Sequence, residues 1–334
     1  MRKTLIAMGA AVLLLLTACQ VNWTSDNGTQ GSVSCPPIPT QVTVVQTFSC
    51  TGVVSPSSTV LPTTMTPVTT STSTTSLPSP STYPTVATTG VSANQGFVEH
   101  NGDLTLTQSG SYDRLHVFGS LIVNAPNVHL TNSWVEGSAG TEEAIVNNGV
   151  GFTLTDVTIG KTTGCNPQPG IGEHDYTALR VRIQSMGDGF RVSGNNVTAT
   201  NSYVQTCDDA NNHDDGMQAY CPGTTCSNVM FKHNYLSVYG TRNYTAPLFG
   251  GSNPGGSNGQ LANSVFNDNL LNGGVFSLYL YSSTLQVTNN KIINGHWTYA
   301  PIDASSCVGF ANNTIVTVDV NNNITRTIGP ANCA

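Results

Sequence analysis

VHLTNSWV (128–135), FTLTDVTI (152–159), YTALRVRI (176–183), VTATNSYV (197–204), VMFKHNYL (229–236), SVFNDNLL (264–271), LQVTNNKI (285–292) and VGFANNTI (308–315) share one design. In each, alternating apolar residues lead to a polar pivot that is followed closely by another apolar pair. The pivots are Asn132, Asp156, Arg180, Asn201, His233, Asp268, Asn289 and Asn312, at successive spacings of 24, 24, 21, 32, 35, 21 and 23 residues. Alternation with period two marks strands, and nothing between them has helical period or length. A strand–turn–strand unit of about 20–25 residues repeated in this way predicts an all-β chain wound as a parallel β-helix of about eight to ten coils.

Asparagine recurs at or just after the pivot: Asn132, Asn201, Asn234, Asn269, Asn289, Asn290, Asn312 and Asn313. Stacked at one corner of successive coils, such side chains can form an amide hydrogen-bond ladder. They also tolerate the left-handed backbone that a sharp corner requires. These asparagines are read as structural and set apart from the site.

The repeat occupies residues 92–334, and what precedes it is of a different kind. MRKTLIAMGAAVLLLLTACQ opens with Arg2 and Lys3, runs apolar from Leu5 to Leu16 and ends in small residues. That pattern predicts a secretory signal peptide over 1–18, too short at its core to span a membrane. Leu16-Thr17-Ala18-Cys19 resembles the bacterial lipobox, which makes Cys19 the expected lipidated N-terminus and the membrane a partner through that anchor. A multiply acylated cysteine anchors stably, whereas one chain binds only marginally. Residues 19–91 read as a tether. No charged residue occurs from Asn27 to Val98, and Thr51–Thr89 is dominated by Thr, Ser and Pro. Such a segment buries too little apolar surface to offset its ordering entropy and is expected to be a disordered linker.

Export also accounts for the remaining eight cysteines, an even count in an oxidising compartment. Proximity pairs Cys35 with Cys50 and Cys221 with Cys226; Cys307 with Cys333 forms a C-terminal clasp, and elimination leaves Cys165 with Cys207. Zinc is the alternative, but Cys221 and Cys226 have no second matching pair nearby. The whole chain of 334 residues carries 11 Lys+Arg against 18 Asp+Glu, a net charge of −7. That argues against nucleic acid, whose phosphates need a basic stripe, and weakens any reading with a polyanionic ligand along most of the surface.

Function is expected where the repeat is broken. Two consecutive spacings exceed the period by about ten residues, and the excess holds CDDANNHDDG (207–216) and YGTRNYTAPLFGGSNPGGSNG (239–259). A further long turn, TGCNPQPGIGEHD (163–175), is placed two coils away on the same side. Repeat proteins often grow insertions on their binding face. These loops concentrate Glu173, His174, Asp175, Asp208, Asp209, His213, Asp214 and Asp215, with Asp188 on the intervening coil. Clustered carboxylates and imidazoles can do acid/base work, because repulsion raises one carboxyl's pKa while its partner stays ionised. The same cluster could equally bind calcium, which needs six to eight oxygens, and the sequence points to no other cofactor. The competing reading is turn chemistry, in which Asp and Asn bond to nearby backbone.

Alternation along DGFRVSG, DGMQAY, FSLYLYSS and PIDASS puts Phe190, Val192, Met217, Ala219, Phe276, Leu278 and Leu280 inward. The outward row then reads Arg191, Gln218, Tyr220, Tyr279, Tyr281 and Asp303. Tyrosine faces with a few polar groups suit stacking against sugar rings, although Tyr also has high strand propensity.

DGFRVSGNNVTATNSYVQT, NHDDGMQAY, SNVMFKHNYL and NDNLLNGGVFSLYLY together resemble a group of secreted actinobacterial right-handed parallel β-helix proteins, pectate-lyase-like in fold. These carry His-x-Asp-Gly-x-Gln between coils, matched here by His213, Asp215, Gly216 and Gln218. The resemblance covers about residues 95–320 and implies a right-handed helix and a carbohydrate ligand rather than one reaction. Polygalacturonases carry Asn-x-Asp, Asp-Asp, Gly-His-Gly and Arg-x-Lys; Asp188 and Asp214-Asp215 lie in comparable coils, but the last two motifs are missing. Of the pectate lyases' basic groups, only Arg191, Lys232 and Arg242 lie near the loops.

The expectation is a monomeric, lipid-anchored surface protein acting on a polysaccharide as a hydrolase or lyase. Asp188, Asp214 and Asp215 form the acid/base set, His213 serves as modulator or proton carrier, and Arg191 and Gln218 hold substrate with Tyr220, Tyr279, Tyr281 and Asp303. The alternative is a non-catalytic carbohydrate-binding or adhesive surface protein whose Asp-rich loops bind calcium or only stabilise turns.

Overall fold

At every pivot the backbone turns through the left-handed region, with φ of 47° at Asn132, 57° at Asp156, 51° at Arg180, 52° at Asn201, 54° at His233 and Asp268, 60° at Asn289 and 58° at Asn312. Asn, Asp and His accept this conformation more readily than other side chains, and Arg180 and His233 are the two pivots that are neither Asn nor Asp. Coil-to-coil pairs support those two positions. Arg180 donates from Nε and Nη2 to the two oxygens of Asp156, at 2.7 Å each, and His233 Nδ1 lies 2.8 Å from Asp268 Oδ2.

The computed structural model describes residues 20–24, 30–34, 82–92, 95–208, 213–242, 244–251, 259–282 and 284–333. The chain divides into two units, Met1–Thr72 and Ser73–Ala334. In the first, the described residues form one antiparallel pair, Gln20–Thr24 with Gln30–Ser34. Cys19, the expected Cys35–Cys50 bridge and residues 35–81 of the expected linker lie outside the described residues.

The second unit is the parallel β-helix expected from the repeat. Each coil contributes to three sheets. Sheet I runs from Leu104–Leu106 to Ala300–Ala304 and sheet II from Gly110–Asp113 to Phe310–Ala311, with nine strands each. Sheet III, with eleven, runs from Val98–His100 to Ile324–Pro330. All pairings within sheets I and II are parallel, and only the last pair of sheet III, Thr314–Val318 with Ile324–Pro330, is antiparallel. The described residues contain no helix, so none is long and apolar enough to cross a membrane.

The period-two pattern is realised as stacked columns. In sheet II, Leu154, Ala178, Ala199, Phe231, Phe266 and Val287 succeed one another in register and are buried. Burying each large side chain contributes about 1.5–3 kcal/mol. One residue past the pivot, Asn234, Asn269, Asn290 and Asn313 form the amide ladder: each Nδ2 donates to the next Oδ1 at 2.9, 2.9 and 3.0 Å. Each Nδ2 also donates to a backbone carbonyl, those of Ala199, Phe231, Phe266 and Val287. The ladder starts midway because Ser133, Val157, Val181 and Ser202 hold the same place in earlier coils. The pivot asparagines themselves, expected in the ladder, lie one residue outside it and supply the corner instead.

Three expectations are corrected. Residues 163–175 are not a long turn, since Asn166–Glu173 is a strand of sheet I with an irregular register between Asn166 and Pro169. Its Pro and Gly content imitates a loop, but Gly170 lies against Ile183, where a Cβ would come within 2.6 Å of that side chain. Phe276 faces outward, stacked on Tyr279 at 5.6 Å, because Ser277 and Leu278 are both buried and break the alternation. The boundary drawn at residue 92 cuts a segment already packed on the helix: Tyr83, Thr89 and Val91 are buried, and Gly90 N donates to Arg180 O at 2.8 Å.

Candidate functional site

Sheet I carries the site because two Asp-Gly pairs let its coils approach closely at the entrance to the strands. A Cβ on Gly189 would lie 2.1 Å from the carbonyl of Gly216, and one on Gly216 would lie 2.4 Å from that of Pro247. The aspartates before these glycines join the coils. Asp188 Oδ1 accepts the backbone N–H of Asp215 at 2.8 Å, and Asp215 Oδ1 accepts that of Ala246 at 3.0 Å. Asp215 Oδ2 also accepts from Gln218 Nε2 at 3.0 Å.

Burial sets the proton affinity of these groups. Asp188 is 5% exposed, Asp215 1% and Asp214 0%. Burial raises the pKa of Asp188 against the lowering effects of the Asp215 N–H, Arg191 and His213. Burial, then the charge of Asp188, raises that of Asp215 well above the ordinary carboxylate range, against the Ala246 N–H and Gln218. Asp214, at a φ of 48°, presents its carbonyl to Thr245 N at 3.2 Å. His213, the expected proton carrier, has an exposed side chain, and its carbonyl accepts from Thr245 Oγ1. Asp209 lies outside the described residues.

Arg191 is the hub. Its guanidinium lies 3.6 Å from Asp188 Oδ2 and 3.5 Å from Glu143 Oε1. It donates to Gln218 Oε1 at 3.1 Å and sits 5.2 Å from the ring centre of Tyr220, which is 40% exposed. Glu143 was not among the residues singled out by sequence: it sits in a short polar turn, TEEA, with no pattern to mark it. Its carboxyl is brought to Arg191 because Gly172 has no side chain, a Cβ there lying 2.4 Å from Glu143 Cδ. Burial, opposed by Arg191 and reinforced by Glu173 and Glu142, pushes the Glu143 pKa up to about 7.

The outward row is an observed register column: Arg191, Gln218, Phe249, Tyr279 and Asp303 stand side by side. Phe249, from the second oversized segment, is the member that alternation missed, since its strand is only Leu248–Phe249. It stacks on Tyr279 at 5.1 Å and 10°. Phe276 and Tyr299, 74% exposed, extend the aromatic surface, with rings 5.8 Å apart. Tyr281 lies off the row, buried, and donates to Asp303 Oδ2 at 3.0 Å.

The oversized segments do meet: Arg242 pairs with Asp208, and Cys165 bridges to Cys207 with Cα atoms 5.5 Å apart. The Cys221–Cys226 and Cys307–Cys333 bridges are also formed.

Fold and site define a disulfide-bonded parallel β-helix protein with a buried carboxylate cluster and an aromatic row on one sheet. No protein-family model, no curated protein and no solved structure matches the chain.

Proposed function

We propose that this chain is an exported, lipid-anchored surface protein whose β-helix binds a polysaccharide along the outer face of sheet I and cleaves it as a hydrolase or lyase. Three formed disulfides support export, since such bonds persist in oxidising compartments. The observation that carries the reading is the continuity of one outward column: Arg191 with its buried carboxylates, Gln218, then the stacked Phe249 and Tyr279. A sugar ring resting on the aromatic faces is directed toward the Arg191 end of the column. There Asp188, whose proton affinity burial raises, is the acid/base group. Arg191, Gln218 and Tyr220 orient the substrate. Asp215 belongs to the scaffold, because one oxygen stitches its coil to the next through Ala246 N and the other is held by Gln218.

One observation favours the second reading, a non-catalytic carbohydrate-binding protein: Asp188 also accepts a backbone N–H from the next coil. Asp188→Asn and Asp215→Asn separate the two. With the full chain assayed on a polysaccharide panel, the first reading requires that Asp188→Asn keep the fold and lose turnover by about 100–10,000-fold. Asp215→Asn should lower the melting temperature. No turnover by the wild-type chain, with glycan binding retained, establishes the binding protein instead.

A further inference from the structure

The carboxylates that converge most closely are not those of the Asp-rich loops. One oxygen each from Glu142, Glu143 and Glu173 lie within 4.8 Å of one another. Glu143 forms the floor, 1% exposed, while Glu173 is half-buried and Glu142 exposed at the rim. Glu143 Oε1 faces Arg191, but its buried Oε2 has no hydrogen-bond partner among the described residues. A buried carboxylate oxygen left without a donor costs about 1–3 kcal/mol, and here it belongs to a gathering of like charges whose rim, at Glu142, is exposed.

A ligand donor of three N–H groups fits this arrangement. An ammonium making charge-assisted bonds of about 2.8 Å in tetrahedral directions places its acceptors about 4.6 Å apart. Calcium fits less well, because it takes six to eight oxygens and the pocket offers three carboxylates, one of them already facing a guanidinium. A uronate fits worst. Arg191, the cation that acts on Glu143, is shared between Glu143 and Asp188, leaving the pocket a surplus of negative charge.

Resting on the proposed reading of sheet I as a polysaccharide surface, we infer that Glu142, Glu143 and Glu173 bind the protonated primary amine of an amino sugar, so that the glycan taken by this protein carries free hexosamine amines. Arg191 keeps its place as the neighbour that orients Glu143, and the aromatic row receives the rings that follow.

The test titrates the full chain with three hexasaccharides: glucosamine, its fully N-acetylated counterpart and galacturonate. Glucosamine should bind about tenfold tighter than the acetylated oligomer, a difference of about 1.4 kcal/mol. Glu143→Gln and Glu173→Gln should each bring that preference below about threefold, and Glu173→Gln should do so with affinity for the acetylated oligomer unchanged. Should Glu143→Gln fail to fold, Glu142→Gln and Glu173→Gln at the rim carry the same comparison. Equal binding of the two hexosamine oligomers, or preference for galacturonate, overturns the inference and leaves the polysaccharide reading standing. Stoichiometric calcium binding abolished by Glu143→Gln makes the pocket a metal site and overturns it too. Failure to bind any glycan, including a wider neutral panel, overturns both.

Discussion

The hydroxyl of Tyr83 donates to Asp268 Oδ1 at 2.8 Å, joining residues 185 positions apart in the chain. The Tyr83 ring stacks on His233 at 5.0 Å and packs with Tyr235, Leu270, Ile293 and Val316, an apolar cluster separate from the main core. From there residues 82–91 lead back to earlier coils, where Val91 N donates to Thr158 Oγ1 at 3.0 Å. Gly90, with φ of 71°, is required at the crossing: a Cβ would lie 2.5 Å from Thr158 Oγ1. The segment thus clips together coils that the chain builds only after passing through it.

Tyr83→Ala should destabilise the β-helix by about 3 kcal/mol through loss of the ring from its cluster, whereas Tyr83→Phe should cost only about 1 kcal/mol for the lost hydrogen bond. Urea denaturation of the two variants checks this. Wild-type stability for Tyr83→Ala would mean that the segment only rests on the sheet.

Asn269→Ala should cost about 2–4 kcal/mol, because it strips a donor from the carbonyl of Phe231 and an acceptor from both Asn234 N and Nδ2. Asn313→Ala, at the ladder's end, should cost less. The same denaturation series decides, and equal losses would show that the additional bond from Asn269 to Asn290 contributes nothing.

Glu143 gives a pH dependence of defined sign. Its native pKa of about 7 lies above the ordinary 4.5, so the folded protein holds a proton that the unfolded chain has released. Its contribution to stability is therefore full below about 4.5, declines as pH rises and is lost above about 7. Glu143→Gln should flatten the stability profile across that window, measured by thermal unfolding between pH 4 and 8. An unchanged slope would place the proton elsewhere.

Cys19→Ala should abolish incorporation of labelled lipid and shift the protein from the membrane to the soluble fraction. Normal labelling and fractionation of the variant would remove the anchor from the proposed function.

The sequence was legible where one residue controls local backbone. Every pivot read from the repeat lies at a corner with positive φ, and the three bridges expected within the described residues are formed. It misled where irregular backbone breaks alternation. Asn166–Glu173 has the Pro and Gly of a loop yet pairs as a strand, and Phe276 faces out because Ser277 and Leu278 both turn in. Glu143 was invisible because its role comes from Gly172, 29 residues later, and from Arg191 on the coil after that.

The sequence alone determined the solenoid, because a period-two pattern punctuated at near-constant intervals admits few other ways to bury its apolar columns. Which carboxylates gather, and which are spent on backbone, was decided by the tertiary structure. In a β-helix, residues some 20–35 positions apart become neighbours one strand spacing away, and their mutual charge and burial exist only once the coils have stacked. Asp215, prominent in sequence, is thereby a stitch between coils, and Glu143, unremarked in sequence, becomes the buried carboxyl facing Arg191.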